Sequence, residues 1–162
     1  MSKYPYCLHY YFEMFKLILN MERILLKTGQ RILFVCYGNI CRSPMAEGLA
    51  KKLFGHKIKV ESAGIAASGG SAAEEAVEIM KLLYNVDISR HHSRHTREIS
   101  FEKFDFIIAL DRVVYLHLRD HYKIELQKLI EWHIEDPIFR GISFYEKVIQ
   151  KIQYKMINTF EI

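Results

Sequence analysis

Two rhythms of apolar residues alternate along this chain from Gln30 onward. Short continuous runs predict buried strands, and apolar residues spaced three and four apart predict helices packed on one face. Arg31 to Cys36 (R-I-L-F-V-C) is a run of the first kind and suits a central strand covered on both sides. Lys57 to Glu61 alternates and predicts a second strand, Asp105 to Leu110 (D-F-I-I-A-L) a third, and Lys128 to Trp132 a fourth. Between them, Ser43-Pro44 opens a helix that runs through Phe54 to Gly55, with Pro44 in the first turn, where its missing N–H costs nothing. Ala72 to Leu83 carries a stripe of Ala76, Val77, Ile79, Met80 and Leu83. Arg112 to His121 predicts a third helix, and Ser143 to Ile157 a fourth, with Tyr145, Val148, Ile149, Ile152 and Met156 on one face. Ser68-Gly69-Gly70-Ser71 predicts a flexible loop. Strands alternating with helices define an α/β fold: a doubly wound, four-stranded parallel sheet with flanking helices. In such sheets ligands sit beyond the strand C-termini, where Cys36 falls.

Residues 1–30 break this pattern. Tyr10, Tyr11, Phe12, Phe15, Leu17, Ile18 and Leu19 are apolar, but Glu13, Lys16, Glu22 and Arg23 interrupt them, so no stretch reaches the length of a membrane span. The order of a secretory signal is missing too. Residues 1–30 therefore read as a dispensable N-terminal extension, either an amphipathic helix packing on the domain or a poorly ordered segment, with Met21 as an alternative natural start, and 31–162 as the domain. At 162 residues, 50% hydrophobic and 26% charged, the chain suits one globular domain. The net charge of +4 is spread along the chain, which fits small anions or phosphorylated proteins as readily as nucleic acid. Three cysteines, an odd number with none after Cys41, make no secreted disulfide framework and point to the cytoplasm.

The chemistry concentrates in Cys36-Tyr37-Gly38-Asn39-Ile40-Cys41-Arg42-Ser43-Pro44. A cysteine and an arginine five residues apart, between a buried strand and a helix start, can build a phosphate cradle. Backbone N–H groups of Tyr37, Gly38, Asn39, Ile40, Cys41 and Arg42 can surround the phosphate oxygens at the positive end of the helix dipole. Gly38 and Asn39 can take left-handed angles that close the loop tightly. Arg42 offers a planar fork for two phosphate oxygens, and the same field favours the thiolate of Cys36. Ser43 can donate a hydrogen bond to that sulfur. The segment is not a Walker loop, because the terminal Gly-Lys pair is missing, and Cys36 with Cys41 lacks the second cysteine pair of a zinc site.

The string F-V-C-Y-G-N-I-C-R-S-P-M-A-E resembles the active-site signature of low-molecular-weight protein-tyrosine phosphatases, and the likeness extends over about residues 31–157. The resemblance implies a flavodoxin-like fold and a two-step reaction. Cys36 would attack phosphorus to give a phosphocysteine, which water then hydrolyses, with Arg42 as clamp. Asp136, in Ile134-Glu135-Asp136-Pro137, matches the family's Asp-Pro acid and base. Ser62 matches the serine that holds the loop asparagine, here Asn39; His91 and Asp111 match the histidine and acid of the same network. Cys41 matches a second loop cysteine able to form a reversible disulfide with Cys36, although a small apolar filler reads equally well there. The implied partner is a phosphotyrosine protein or peptide, with no cofactor, metal or nucleic acid.

Some positions depart from the family. Ile138 stands directly after Asp-Pro where an aromatic wall is usual, with Phe139 one place later, and the opposite wall near Ala67-Ser68 is small. Arsenate reductases share the loop but need further cysteines after it. Phosphoarginine phosphatases tend to carry threonine at the position of Ile40. A non-catalytic phosphate-binding module would not need Cys36, Arg42 and Asp136 together. His117 and His121, four apart, lack a third ligand and read as surface residues.

Overall fold

The computed structural model describes residues 23–161. Four parallel strands, β2 (Arg31–Cys36), β3 (Lys59–Gly64), β4 (Phe106–Ala109) and β5 (Leu129–Glu131), form one sheet in the order β3-β2-β4-β5. The chain therefore winds outward from β2 in both directions, which makes the C-terminal end of β2 the switch point of the sheet. Alternation along β2 explains the layers. Ile32, Phe34 and Cys36 face the core under helices α1 (Arg42–Phe54), α2 (Glu74–Tyr84) and α4 (Ile142–Thr159). Leu33 and Val35 face a second core under α3 (Arg112–His121). All five residues expected on the inner face of α4 are buried there.

Several boundaries differ from the sequence reading. The second strand was expected over Lys57 to Glu61, but it runs to Gly64, pairing Ser62, Ala63 and Gly64 with Phe34, Val35 and Cys36. Small residues carry little strand signal, yet at Gly64 a Cβ would lie 2.6 Å from the Tyr37 carbonyl oxygen of the loop that follows Cys36. On α2, Ala76, Ile79 and Met80 are buried, whereas Leu83 is exposed. The Ser68–Ser71 loop is tethered, with Ser71 bridged to His92 and the Ser93 N–H donating to the Gly70 carbonyl.

The boundary after residue 30 cuts through packed structure. A short strand β1 (Ile24–Leu25) pairs in parallel with β6 (Phe160–Glu161), and Leu26 is buried in the main core. Residues 24–26 thus belong to the folded unit, and the apolar segment ahead of them lies outside the described residues.

Candidate active site

The loop from Cys36 to Arg42 joins β2 to α1, and its conformation is fixed from outside by its carbonyls. Those of Cys36 and Tyr37 accept from Ile65 and Ala66, that of Ile40 from Ala73, and that of Asn39 from His91 Nε2 at 2.8 Å. Because each peptide is planar and trans, carbonyls held outward turn the N–H groups of Tyr37, Gly38, Ile40 and Cys41 the other way. The Asn39 N–H lies 3.2 Å from Cys36 Sγ. A carbonyl only accepts, so His91 carries its proton on Nε2.

Asn39 is the keystone. It is the one loop residue in the left-handed region, at φ 54°, and it is fully buried. Gly38 does not share that conformation, contrary to expectation; a Cβ there would only touch the Ile40 side chain at 3.5 Å. A left-handed non-glycine residue costs energy and persists when its surroundings over-determine it. Every polar group of Asn39 is engaged. Nδ2 donates to Ser43 Oγ at 2.8 Å and to Ser62 Oγ at 2.9 Å, and Oδ1 accepts from the Arg94 N–H at 2.8 Å. Ser62 in turn donates to Glu47 Oε2 at 2.5 Å. Ser43 Oγ, receiving from Asn39, lies 3.0 Å from Cys36 Sγ and can give its own proton to that sulfur.

Arg42 is buried, and both of its terminal nitrogens are held. Nη1 donates to Asp111 Oδ2 at 2.5 Å and to the Ile134 carbonyl at 3.1 Å, while Nη2 donates to Asp136 Oδ2 at 2.5 Å. Its buried Nε has no partner among the described residues. Burial works against the charge, but Cys36, Asp136 and Asp111 outweigh it and hold the guanidinium even further above neutrality than usual. Asp111 can serve as a fixed anchor because its Oδ1 caps α3 through the Val114 N–H at 2.8 Å. Asp136 is delivered by an extension of β5: Trp132 and Ile134 donate to the Ala109 and Leu110 carbonyls and carry the Asp-Pro turn alongside β4.

Cys36, Tyr37, Gly38, Ile40, Cys41, Arg42 and Asp136 line one cleft of about 320 Å³, closed by Ala66, Ser68 and Ile138. Tyr37, singled out in the sequence only for its backbone, is half exposed and forms an aromatic wall. Phe139 is 96% exposed and does not line the cleft, and Ser68, not Ala67, borders the other side. Cys41 is buried with its thiol 3.2 Å from Tyr145 Oη, and burial above all pushes that thiol up to about 11. The sequence reading missed Glu47, Gly64, Arg94 and Tyr145. Glu47 carried a signal, four residues after Ser43 on the same helix face; the others act through backbone approach or a distant side chain.

His117 and His121 stack at 4.4 Å on α3, and no group of three ligating side chains gathers among the described residues.

A cysteine under a ring of amides, an arginine fork and an adjacent carboxylate define a cysteine-dependent phosphatase, a hydrolase of phosphate monoesters. Comparison with known proteins agrees. Residues 31–161 match the family described as "Low molecular weight phosphotyrosine protein phosphatase". The low molecular weight protein-tyrosine-phosphatase Ptp of Acinetobacter johnsonii is 29% identical over 130 residues, spanning 76% of this chain and 91% of that protein. The crystal structure of a low molecular weight protein tyrosine phosphatase from T. tengcongensis superposes with a TM-score of 0.73 at 32% identity, covering 80% of this chain and 97% of the other. Arsenate reductase 1 of Staphylococcus epidermidis is also similar, 36% identical over 133 residues, spanning 80% of this chain and 93% of that protein. This chain belongs to the low-molecular-weight protein-tyrosine phosphatase family.

Proposed function

We propose that the enzyme hydrolyses phosphotyrosine in proteins or peptides through a phosphocysteine on Cys36. The observation that carries this reading is Asp136 held on the fork of Arg42 at the mouth of the cleft over Cys36. A phosphoryl group in the loop offers its oxygens to the inward amides and to Arg42 Nε and Nη2, and Asp136 gives up Nη2 to the substrate. The thiolate attacks phosphorus, the P–O bond to the phenol breaks, and Asp136 protonates the departing oxygen. In the second step Asp136 takes a proton from water as that water attacks phosphorus. The S–P bond then breaks, and the Ser43 hydroxyl stabilises the released thiolate.

Tyr37, Ile40 and Ile138 give the cleft a flat apolar lining suited to an aromatic ring. The chain has no cysteine beyond Cys41, and this favours hydrolysis over an arsenate-reducing thiol relay. A reactive thiol of this kind is best kept in the reducing cytoplasm, the location included in this reading. Among the described residues no helix is long and apolar enough to cross a membrane.

Asp136→Asn tests the acid. Proton donation is worth ~10²-fold or more where the leaving group is poor, such as a tyrosine phenol with pKa about 10. The variant is expected to lose about that much on a phosphotyrosine peptide and far less on a phosphate ester of an acidic phenol. Equal losses in single-turnover phosphorylation of Cys36 would assign Asp136 a structural role. Run in parallel, phosphoarginine turned over faster than phosphotyrosine would replace the substrate assignment.

A protective disulfide forms part of the same proposal. Peroxide oxidises the Cys36 thiolate to a sulfenate with release of water, and Cys41 sulfur then displaces hydroxide to close Cys36–Cys41. Because the Cys41 thiol is held up to about 11, mostly by burial, closure is expected to accelerate as pH rises from 7 toward that value. Quenched-time-course mass mapping reads the bridge directly; a rate that falls with pH, or a bridge to Cys7, would refute it.

A further inference from the structure

We propose that a second cleft, behind the phosphate loop, is a regulatory site for a small organic anion with an apolar body. The inference rests on Cys36–Arg42 being the phosphate loop, but not on which phosphate ester is turned over. The cleft has a volume of about 510 Å³, within the range of small-molecule sites, and shares no lining residue with the catalytic one. One wall is α1 and the other is the segment from Val86 to Arg94. Gly48 sets their separation. A Cβ there would meet Ile88 Cγ2 at 2.8 Å and Val86 Cγ1 at 3.1 Å, so the missing side chain lets the two walls pack at the base.

The lining selects the ligand's charge. Each acid in the cleft is already engaged: Glu47 by Lys51 and Ser62, Glu61 by Arg31 and Arg94, and Asp87 by Lys81 and the Ser89 N–H. Arg90 and His92 line the same cleft, are exposed, and make no side-chain hydrogen bond or ion pair among the described residues. The uncompensated groups are therefore basic. Val60, Val86 and Ile88 supply apolar surface beside them. A carboxylate on an apolar stem satisfies both halves.

What makes the site regulatory is its connection to Asn39. Four lining residues hold that keystone. His91 donates to its carbonyl, Arg94 donates its N–H to Oδ1, Glu61 fixes Arg94 at 3.0 Å, and Glu47 orients the Ser62 that accepts from Nδ2. Arg90 and His92 lie in the same short segment as two of these anchors. An anion drawing them together changes how firmly Asn39, and hence the Asn39 N–H under the Cys36 sulfur, is held.

Phenylacetate is a suitable probe, and vanadate reports the phosphate loop independently of turnover. With vanadate saturating the active site, phenylacetate is expected to perturb the amide resonances of Gly48, Ile88, Arg90 and His92. It is also expected to change vanadate affinity by about fivefold or more, and linkage requires vanadate to change phenylacetate affinity by the same factor. Combining Arg90→Ala with His92→Ala should weaken phenylacetate binding at least ~tenfold, as loss of charge-assisted contacts predicts, and abolish the coupling. Turnover of an aryl phosphate without phenylacetate should stay at the wild-type level. Perturbations confined to residues 36–42 and 136–138, binding unchanged in the double variant, or unchanged vanadate affinity would each overturn the proposal. Vanadate coupling in a protein that fails to hydrolyse phosphotyrosine would support it while removing the substrate assignment instead.

Discussion

Cys36→Ser is expected to abolish turnover of phosphotyrosine peptide while the protein still binds phosphate or vanadate. The two activities separate because different atoms perform them. Binding depends on the inward amides, on Arg42 and on the helix start, none of which the substitution removes. A serine oxygen would also still receive the Asn39 N–H, which lies 3.2 Å from the native sulfur, and the Ser43 hydroxyl, which lies 3.0 Å from it. Turnover depends on a sulfur nucleophile, and an alkoxide is far less accessible than a thiolate. The loss should be complete, because the other thiol lining the cleft, Cys41, is buried and held up to about 11, mostly by that burial. Calorimetry with vanadate measures the first half and steady-state kinetics the second. A serine variant within tenfold of wild type would remove Cys36 from the reaction, and failure to bind vanadate would show that the sulfur itself holds the loop. Chelator is expected to leave the native enzyme unaffected, and a metal-dependent reaction would appear as inhibition.

The fold and the grouping of the candidate site were legible in the sequence for one physical reason. Both are written in local patterns. The run R-I-L-F-V-C is buried on both faces and becomes the central strand, and the α4 stripe from Tyr145 to Met156 is buried residue for residue. The Cys36-to-Arg42 spacing sits on one turn of chain, so contiguity alone brings the proposed nucleophile and the proposed clamp together. Ser62, His91, Asp111 and Asp136 were reached through resemblance, and the structure brings Ser62 and His91 to Asn39, and Asp111 and Asp136 to Arg42. What stayed hidden was nonlocal. The β1–β6 pairing joins residues at opposite ends of the described chain, and two-residue strands have no periodicity to detect. Tyr145 was readable as buried, yet nothing in a helical stripe says that its hydroxyl meets Cys41. Arg94 meets Asn39 through its main-chain N–H, which any residue would supply. Gly38 drew attention because glycine beside a tight loop suggests a left-handed angle, whereas the space restriction falls on a glycine in the neighbouring strand.

That glycine supports the second large effect: Gly64→Ala is expected to reduce phosphotyrosine turnover by ~10³-fold or more and to weaken vanadate binding in parallel. Gly64 ends β3 opposite Cys36, and the phosphate loop folds directly over it. A Cβ at this position would lie 2.6 Å from the Tyr37 carbonyl oxygen, 2.7 Å from the Asn39 nitrogen and 2.9 Å from the Gly38 carbonyl carbon. All three are main-chain atoms, so no side-chain rotation relieves the contact. The strand is pinned as well, because the Gly64 N–H donates to the Arg94 carbonyl at 2.9 Å and its neighbours are paired to β2. The loop must therefore move. Losing one preorganised donor typically costs ~10²–10³-fold, and displacing the 37–39 segment disturbs several donors at once. Overpacking of this kind also costs about 1–3 kcal/mol of stability, small enough for a folded domain to be isolated and assayed. The comparison that isolates the cause is Gly38→Ala, whose Cβ would make only an ordinary contact with Ile40 and which should be far less damaging. Thermal melts, vanadate calorimetry and kinetics on both variants decide the matter. If Gly64→Ala keeps wild-type vanadate affinity, or if Gly38→Ala is the more damaging of the two, the cradle is not shaped by the close approach of β3.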